Sequence, residues 1–275
     1  MSATFPLARA NQGLDGFLAE GNILMQVKDV AGVYGPLEGP INGTTLSFNP
    51  GEGETKERIS KMIGTSGQAL NSIITAGTPS ITFGFNDLGA RQFALASRGA
   101  ISAINEAGGS VSAASFTVPA AAKGGWIELP NRNIAVAGFS ITGAGGTPTY
   151  TFSANADQDY GPINYEQGHV YIPKASTIAN GATIEVTYTY LAVTGELIKG
   201  NQIDQTVMRL IFEGKNKANF QKMRIIFHEA TVQPTQDIDV LGDDFAGAAF
   251  SGNLTTPVGK DAPYEVEWNL TLATA

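Results

Sequence analysis

Four segments of the chain alternate apolar and polar side chains with a period of two: Ile81-Thr-Phe83-Gly-Phe85, Ile184-Glu-Val186-Thr-Tyr188-Thr-Tyr190, Met208-Arg-Leu210-Ile-Phe212 and Val266-Glu-Trp268-Asn-Leu270-Thr-Leu272. A period of two puts every second side chain on one face, which only an extended strand half-buried in an antiparallel sheet can use. Leu46-Ser-Phe48 and Ile23-Leu-Met25-Gln-Val27 are shorter versions, and Met223 to Val232 is a long β-branched and aromatic run that reads as strand. Clusters of Gly, Pro and Asn separate these runs as turns require. The pattern predicts a mainly β protein.

Helix signals are few. Asp87 to Arg98 is the best, with Asp87 placed to cap the start and Gly99 placed for a left-handed stop. Glu54 to Met62 is a weaker one, equally readable as an extended charged loop. The stretch from Gly108 to Gly200 has a different texture, rich in Ala, Gly, Thr and Ser, with short strands expected near Ile134–Ile141, Tyr150–Phe152, Val170–Ile172 and Ile184–Tyr190. Soft sequences bound it, Ala-Gly-Gly-Ser at 107–110 and Thr-Gly-Glu-Leu-Ile-Lys-Gly at 194–200. These features predict a discontinuous core domain of residues 1–107 plus 201–275, interrupted by an inserted β-sandwich-like domain at 108–200.

The residue inventory narrows the chemistry. The 275 residues include no Cys and two His, His169 and His228, so thiolate metal sites, Cys nucleophiles and disulfides are excluded and His-rich metal sites nearly so. No apolar run approaches a membrane-spanning helix. The first 25 residues lack the apolar centre of a secretion signal, with Asp15 and Glu20 interrupting them, which predicts a protein made in a cytoplasm.

The motifs that carry catalysis are broken here. Gly195 to Asn201 and the Gly214-Lys215-Asn216 stretch both fail as phosphate loops, and Gly51-Glu-Gly53 fails as a dinucleotide fingerprint. Gly138-Phe-Ser140 is followed by Thr142 where a nucleophile elbow needs Gly. His228 sits mid-strand, where a satisfied half-buried side chain is the ordinary role, and His169 sits at a Gly-His turn expected to be exposed. Asp237-Ile-Asp239-Val-Leu-Gly242-Asp243-Asp244 is half a calcium loop: Leu241 and Ala248 stand where oxygen ligands are needed, so an acidic loop between strands is expected. The residues predict no enzyme activity and no cofactor or metal.

The net charge of −8 is uneven. Residues 226–275 hold 8 acids and one base, while 201–225 hold five bases and two acids. An acidic field repels phosphate, so these acids are either a solubilising surface or a surface past which DNA moves without sticking; charge alone leaves both open.

Several stretches are similar to one known family. Leu210-Ile-Phe-Glu-Gly214-Lys-Asn-Lys-Ala218-Asn219, Arg224-Ile-Ile-Phe-His-Glu-Ala-Thr-Val232, Pro234, Asp237 to Phe245 and Phe250-Ser-Gly-Asn-Leu254 resemble the major tail tube proteins of long-tailed bacteriophages, with the Gly242-Asp-Asp-Phe245 corner the most specific piece. Asp159-Tyr160, Asn164 to Ile172, Ile178 to Gly181 and Val186 to Tyr190 are similar to a β module recurrent in that family, and Glu54-Thr-Lys-Glu57 and Asn86-Asp-Leu88 agree loosely.

The resemblance implies a tail-tube β-sandwich or barrel with one flanking helix, with the inserted domain on the tube exterior. It implies self-association into six-fold rings stacked as a hollow tube in the virion tail, assembled in the host cytoplasm. A tape-measure protein fills the bore, tail terminator and baseplate or tip proteins close the ends, and double-stranded DNA transits without tight binding. No membrane is involved. On this reading Asp237, Asp239, Asp243 and Asp244 line the lumen or join rings, and Lys215, Lys217, Lys222 and Arg224 pair with acids of a neighbouring subunit. The alternatives are a β-sandwich adhesion or decoration module with the insertion as binding face, the tube of a phage-derived bacteriocin, and a glycan-acting enzyme on a β-sandwich.

Overall fold

A computed structural model describes residues 16–29 and 31–270. The chain divides into two compact units, residues 1–101 with 198–275, and residues 102–197. Residues 1–15, part of the segment read above for a secretion signal, and Thr271 and Leu272 of the expected last strand lie outside the described residues.

The first unit is built on β1 (Ala19–Val27), β2 (Glu38–Ile41), β3 (Gly43–Asn49), the hairpin β4 (Glu54–Ile59) and β5 (Ala69–Thr75), β6 (Ser80–Phe85) and helix α1 (Ala90–Ala96). The chain then leaves along β7 (Ala100–Glu106). The second unit holds β8 (Gly109–Thr117), β9 (Gly125–Glu128), β10 (Ser140–Gly143), β11 (Ile163–Asn164), β12 (His169–Ile172) and β13 (Thr183–Tyr190). The chain returns along β14 (Val193–Lys199), which pairs with β7. The first unit is completed by β15 (Thr206–Asn216), β16 (Lys222–Pro234), β17 (Ala248–Leu254) and β18 (Tyr264–Leu270). The protein is mainly β, as the alternation requires.

Eight strands form the main sheet, in the order β2-β1-β15-β16-β17-β6-β3 with β18 also on β16. Strand β16 pairs with β15 along one edge and is long enough to serve two partners on the other: its first half pairs with β18 and its second with β17. The two ends of the path, β2 and β3, are separated in sequence by Asn42 alone, so the sheet must curl on itself. The ladder nevertheless does not close into a barrel. Alternation places Ile23, Met25, Phe83, Leu210, Phe227 and Phe250 on the concave face, where they are almost fully buried. The rings of Phe83 and Phe250 stack at 5.2 Å and those of Phe85 and Phe250 at 5.5 Å. Burying each such side chain contributes roughly 1.5–3 kcal/mol.

The opposite face of the same strands is mostly polar, with Leu24 and Val207 among its apolar members. Ile211 and Ile226 are register partners on that face and are buried to 2% and 6% exposure.

Helix α1 is shorter than the sequence suggests. It starts at Ala90, not at Asp87, and its N-cap is Gly89 with no side-chain cap. Its C-terminus is a left-handed stop, but at Arg98 (φ 52°) and not at Gly99. The Arg98 N–H reaches the Leu95 carbonyl at 3.1 Å and the Gly99 N–H reaches Ala94 at 2.7 Å, the paired closure of a Schellman motif. Arg98 accepts this conformation because its guanidinium donates to the carbonyls of Ile203 (3.0 Å) and Asp204 (2.8 Å). Gly99 is required for closeness: a Cβ there would lie 2.8 Å from the Ile198 side chain.

In the second unit, β10-β13-β8 and β11-β12-β9 form two three-stranded antiparallel sheets around one core. Ile141, Val170, Ile172, Ile178 and Ile184 are fully buried there. Ile134–Ile141 is strand only from Ser140, with Ile134 making an isolated bridge to Tyr190; Tyr150–Phe152 is not a strand beyond a bridge from Phe152 to Tyr160. His169 is half-buried at the start of β12, not exposed at a turn.

Candidate self-assembly surface

Residues Glu54 to Met62, read as weak helix or loop, begin a β-hairpin. Strand β4 pairs with β5 in register from Glu54↔Thr75 to Arg58↔Asn71, and every residue of both strands is exposed. The sequence carries no burial period here because neither face is buried. Alternate positions bring Lys56, Arg58 and Ile73 to one face and Glu57, Ile59 and Ile74 to the other. The tip is ordered by its own hydrogen bonds. The buried Ser60 hydroxyl lies 2.8 Å from that of Thr65, and its N–H donates to Gln68 at 2.8 Å. This tip presents Met62 and Ile63, the latter fully exposed, while Ile73 and Ile74 remain 62% and 73% exposed along the arm. A lone two-stranded hairpin is marginal in water and gains stability from a partner.

A second unfinished region lies where the curled sheet fails to close. Strand β3 is bonded only to β6 and β18 only to β16, so each has a free edge. Between them the inner-face side chains are half covered. Val266 and Trp268 are register partners of the buried Ile225 and Met223, yet 43% and 53% exposed. Phe48 packs against Tyr264 at 5.0 Å, and Phe17 against Trp268 at 5.5 Å. An adjoining cleft of about 410 Å³ is lined by Phe17, Leu46, Phe48, Phe212, Met223 and Ile225. Free edges beside exposed apolar surface are a template for a further strand.

The four basic residues singled out in the sequence gather around the β15–β16 turn and mostly meet acids of their own chain. Lys215 and Lys217 both reach Glu20, at 3.1 and 2.9 Å. Arg224 lies 3.3 Å from Glu213 and 4.0 Å from Glu267. Lys222 lines the cleft of about 860 Å³ beside them. Lys217, and then Lys215, hold the Glu20 carboxyl below its ordinary range. Gly21 and Gly214, register partners, floor this cleft because neither position has room for a side chain.

The turn's shape comes from Asn216, a residue the sequence did not single out. Asn216 is buried; its Oδ1 accepts from the N–H groups of Leu18 and Ala218, and its Nδ2 donates to the Gly16 carbonyl, each at 3.1 Å.

Asp237, Asp239, Asp243 and Asp244 all lie exposed on the β16–β17 connection. Asp239 accepts the Leu241 N–H at 3.2 Å, and no group of three or more potential metal ligands forms among the described residues. The same connection exposes Val240 (76%), Leu241 (98%) and Phe245 (93%), so it is as apolar as it is acidic.

His228 is buried, with its Nε2 3.0 Å from Glu265. That contact, with Lys260 at 3.5 Å, holds the Glu265 carboxyl below its ordinary range. The neighbouring Glu229 forms an ion pair with Lys28 and accepts from Thr255 (3.1 Å) and Tyr34 (3.3 Å). The Lys28 ammonium is the main cause of the lowered Glu229 pKa, and Glu229 of the raised Lys28 pKa. These pairs tie β1, β16 and β18 together.

No curated protein matches the chain. Residues 16–262 match the family described as "Protein of unknown function UCP028589", and the chain is a member of that family.

Proposed function

We propose that the chain is a structural subunit that assembles with copies of itself into a phage-type tail tube, stacked rings around a bore through which double-stranded DNA passes. The observation that carries this reading is the β4–β5 arm, an ordered hairpin exposed on both faces and tipped by Met62 and Ile63. Such an arm gains its stability from another molecule. A second copy is the partner that gives a repeating contact, since a head-to-tail interface between unlike patches makes rings when it closes and filaments when it does not. The free edges of β3 and β18 offer the complementary kind of surface, where strand pairing between copies removes the edge.

Within this reading the Asp237–Asp244 connection, carrying Val240, Leu241 and Phe245 among its acids, belongs at a contact between rings. The polar sheet face suits the bore. Its acids Glu20, Glu213, Glu229, Glu265 and Glu267 are matched by Lys and Arg partners, and internally paired charge leaves few cations to displace counterions from DNA. A tape-measure protein, a terminator and a baseplate protein are the further partners of such a tube, and the virion tail is its place.

Sedimentation velocity over a concentration series tests the reading. Discrete ring-sized and larger species growing with concentration are expected; a monomer at every concentration, up to the solubility limit, overturns it.

A further inference from the structure

The second unit carries a surface that the assembly reading does not use. In the sheet β11-β12-β9, Ile127, Val170 and Ile172 turn inward and are buried, so their neighbours turn outward. The outward register pairs are Trp126↔Tyr171 and Glu128↔His169, and Asn164 continues the second row across β11. Trp126 is 53% exposed, and its ring meets that of Tyr171 edge-on at 5.5 Å. The polar row follows about 7 Å further along the strands. It leads into a cleft of about 500 Å³ lined by Glu128, Asn131, Arg132, Gln167, His169 and Tyr190. Arg132 is already engaged by both carboxylate oxygens of Glu106, at 3.2 and 3.0 Å.

We infer that this face binds a neutral oligosaccharide of pyranose sugars. The exposed Trp126 ring, braced edge-on by Tyr171, offers an apolar face for the C–H side of a sugar ring. The adjacent carboxylate, amides and imidazole offer the donors and acceptors that hydroxyl groups need, a few polar groups beside an aromatic wall. Charge disfavours the other ligand that stacks on aromatic rings: single-stranded nucleic acid needs a cationic groove, whereas in this cleft the guanidinium is paired with Glu106 and Glu128 adds negative charge. The apolar area, two rings wide, is small for a protein partner. The inference is independent of tube assembly.

The chain has two tryptophans, Trp126 and Trp268, so the full-length W268F variant reports on Trp126 alone. Cellotetraose, chitotetraose and mannotetraose are titrated into wild type, W268F, W126A and W126F at up to millimolar concentration, with fluorescence and calorimetry as readouts. At least one sugar is expected to change the emission of W268F saturably. W126A should lose about 30-fold or more in affinity, while W126F, which keeps a ring, loses less. Thermal unfolding identical to wild type shows that W126A is folded. The inference is overturned if none of the three sugars binds, or if W126A binds as wild type does. It is equally overturned if W126A changes sedimentation or the binding of oligo-dT and leaves sugar binding alone.

Discussion

The two units solve the same problem to different degrees. In residues 102–197, two small sheets pack around one core, and the apolar side chains left exposed, among them Trp126, Val136, Phe152 and Leu191, lie on separate strands and loops. In the other unit a larger core is just as well buried, yet an arm projects with both faces exposed, β2, β3 and β18 each keep a free edge, and Phe48, Val266 and Trp268 sit half covered at the seam. A folded domain usually hides or blunts such features. The contrast is what the proposed assembly calls for: the arm and the seam of the first unit offer surface that a second copy of the chain can cover.

The strongest way to break this contrast is to remove the arm. Replacing residues 54–75 with a short Gly-Ser link is expected to abolish higher-order species in sedimentation while leaving the thermal midpoint of the first unit within a few degrees of wild type. A large loss of stability would mean that the arm belongs to the fold. The double substitution I63K/I73K is the milder test and should act in the same direction.

Core truncations sharpen the comparison next. F250A removes the ring at the centre of the Phe83–Phe250–Phe85 stack and is expected to cost about 3–5 kcal/mol; I141A in the second unit is expected to cost about 2–5 kcal/mol. Calorimetry should show each substitution lowering the transition of its own unit. A shared downward shift would show that the units unfold together.

Acid sensitivity separates the units more gently. In the first unit Lys28 holds the Glu229 carboxyl below its ordinary pKa. In the second, burial pushes Asp159 up, but hydrogen bonds from the Thr177 hydroxyl (2.6 Å) and the Thr151 and Thr177 N–H groups (2.9 and 3.1 Å) outweigh it and leave the carboxyl below its ordinary pKa. A carboxyl lowered on folding stabilises the fold above its unfolded pKa, and that stabilisation fades as pH falls through the folded value. Both transitions should therefore drop below about pH 4. E229Q should cost about 1–2 kcal/mol at neutral pH and flatten the acid response of the first unit; D159N should flatten that of the second. Unchanged profiles in the variants would contradict these assignments.

The smallest expected effect is at Arg98. R98A keeps the left-handed backbone and loses both guanidinium bonds, whereas R98G loses the same bonds and relieves the backbone. R98G should be the more stable of the two by about 1 kcal/mol, measured by urea unfolding.

Much of the first unit's architecture is legible in its alternation. Ile81–Phe85, Met208–Phe212 and Met223–Val232 declare their strands because alternate side chains enter one core, even though Ile211 and Ile226 are buried on the other face as well. The arm is illegible for the same reason reversed: Glu54–Ile59 buries nothing, so burial leaves no period in it, and its charges imitate a helix. The Trp126–Tyr171 platform is hidden differently, since its halves are 45 positions apart and only the β9–β12 register joins them. The basic cluster is visible in sequence, but Glu20, nearly two hundred positions away, becomes its partner only through the β1–β15 pairing. Asn216 looks like any turn residue until its buried amide is seen holding residues 16–18. The helix stop is assigned to Gly99 by composition, yet the left-handed position falls to Arg98, because the long-range bonds to Ile203 and Asp204 compensate the strain.

Electron microscopy of the purified 275-residue chain at high concentration decides whether copies of it build rings. Rings of uniform diameter with an open centre, stacking into hollow tubes, are expected, with no such particles from the arm-deleted protein. A field of separate monomer-sized particles from the intact chain, at every concentration reached, overturns the assembly reading.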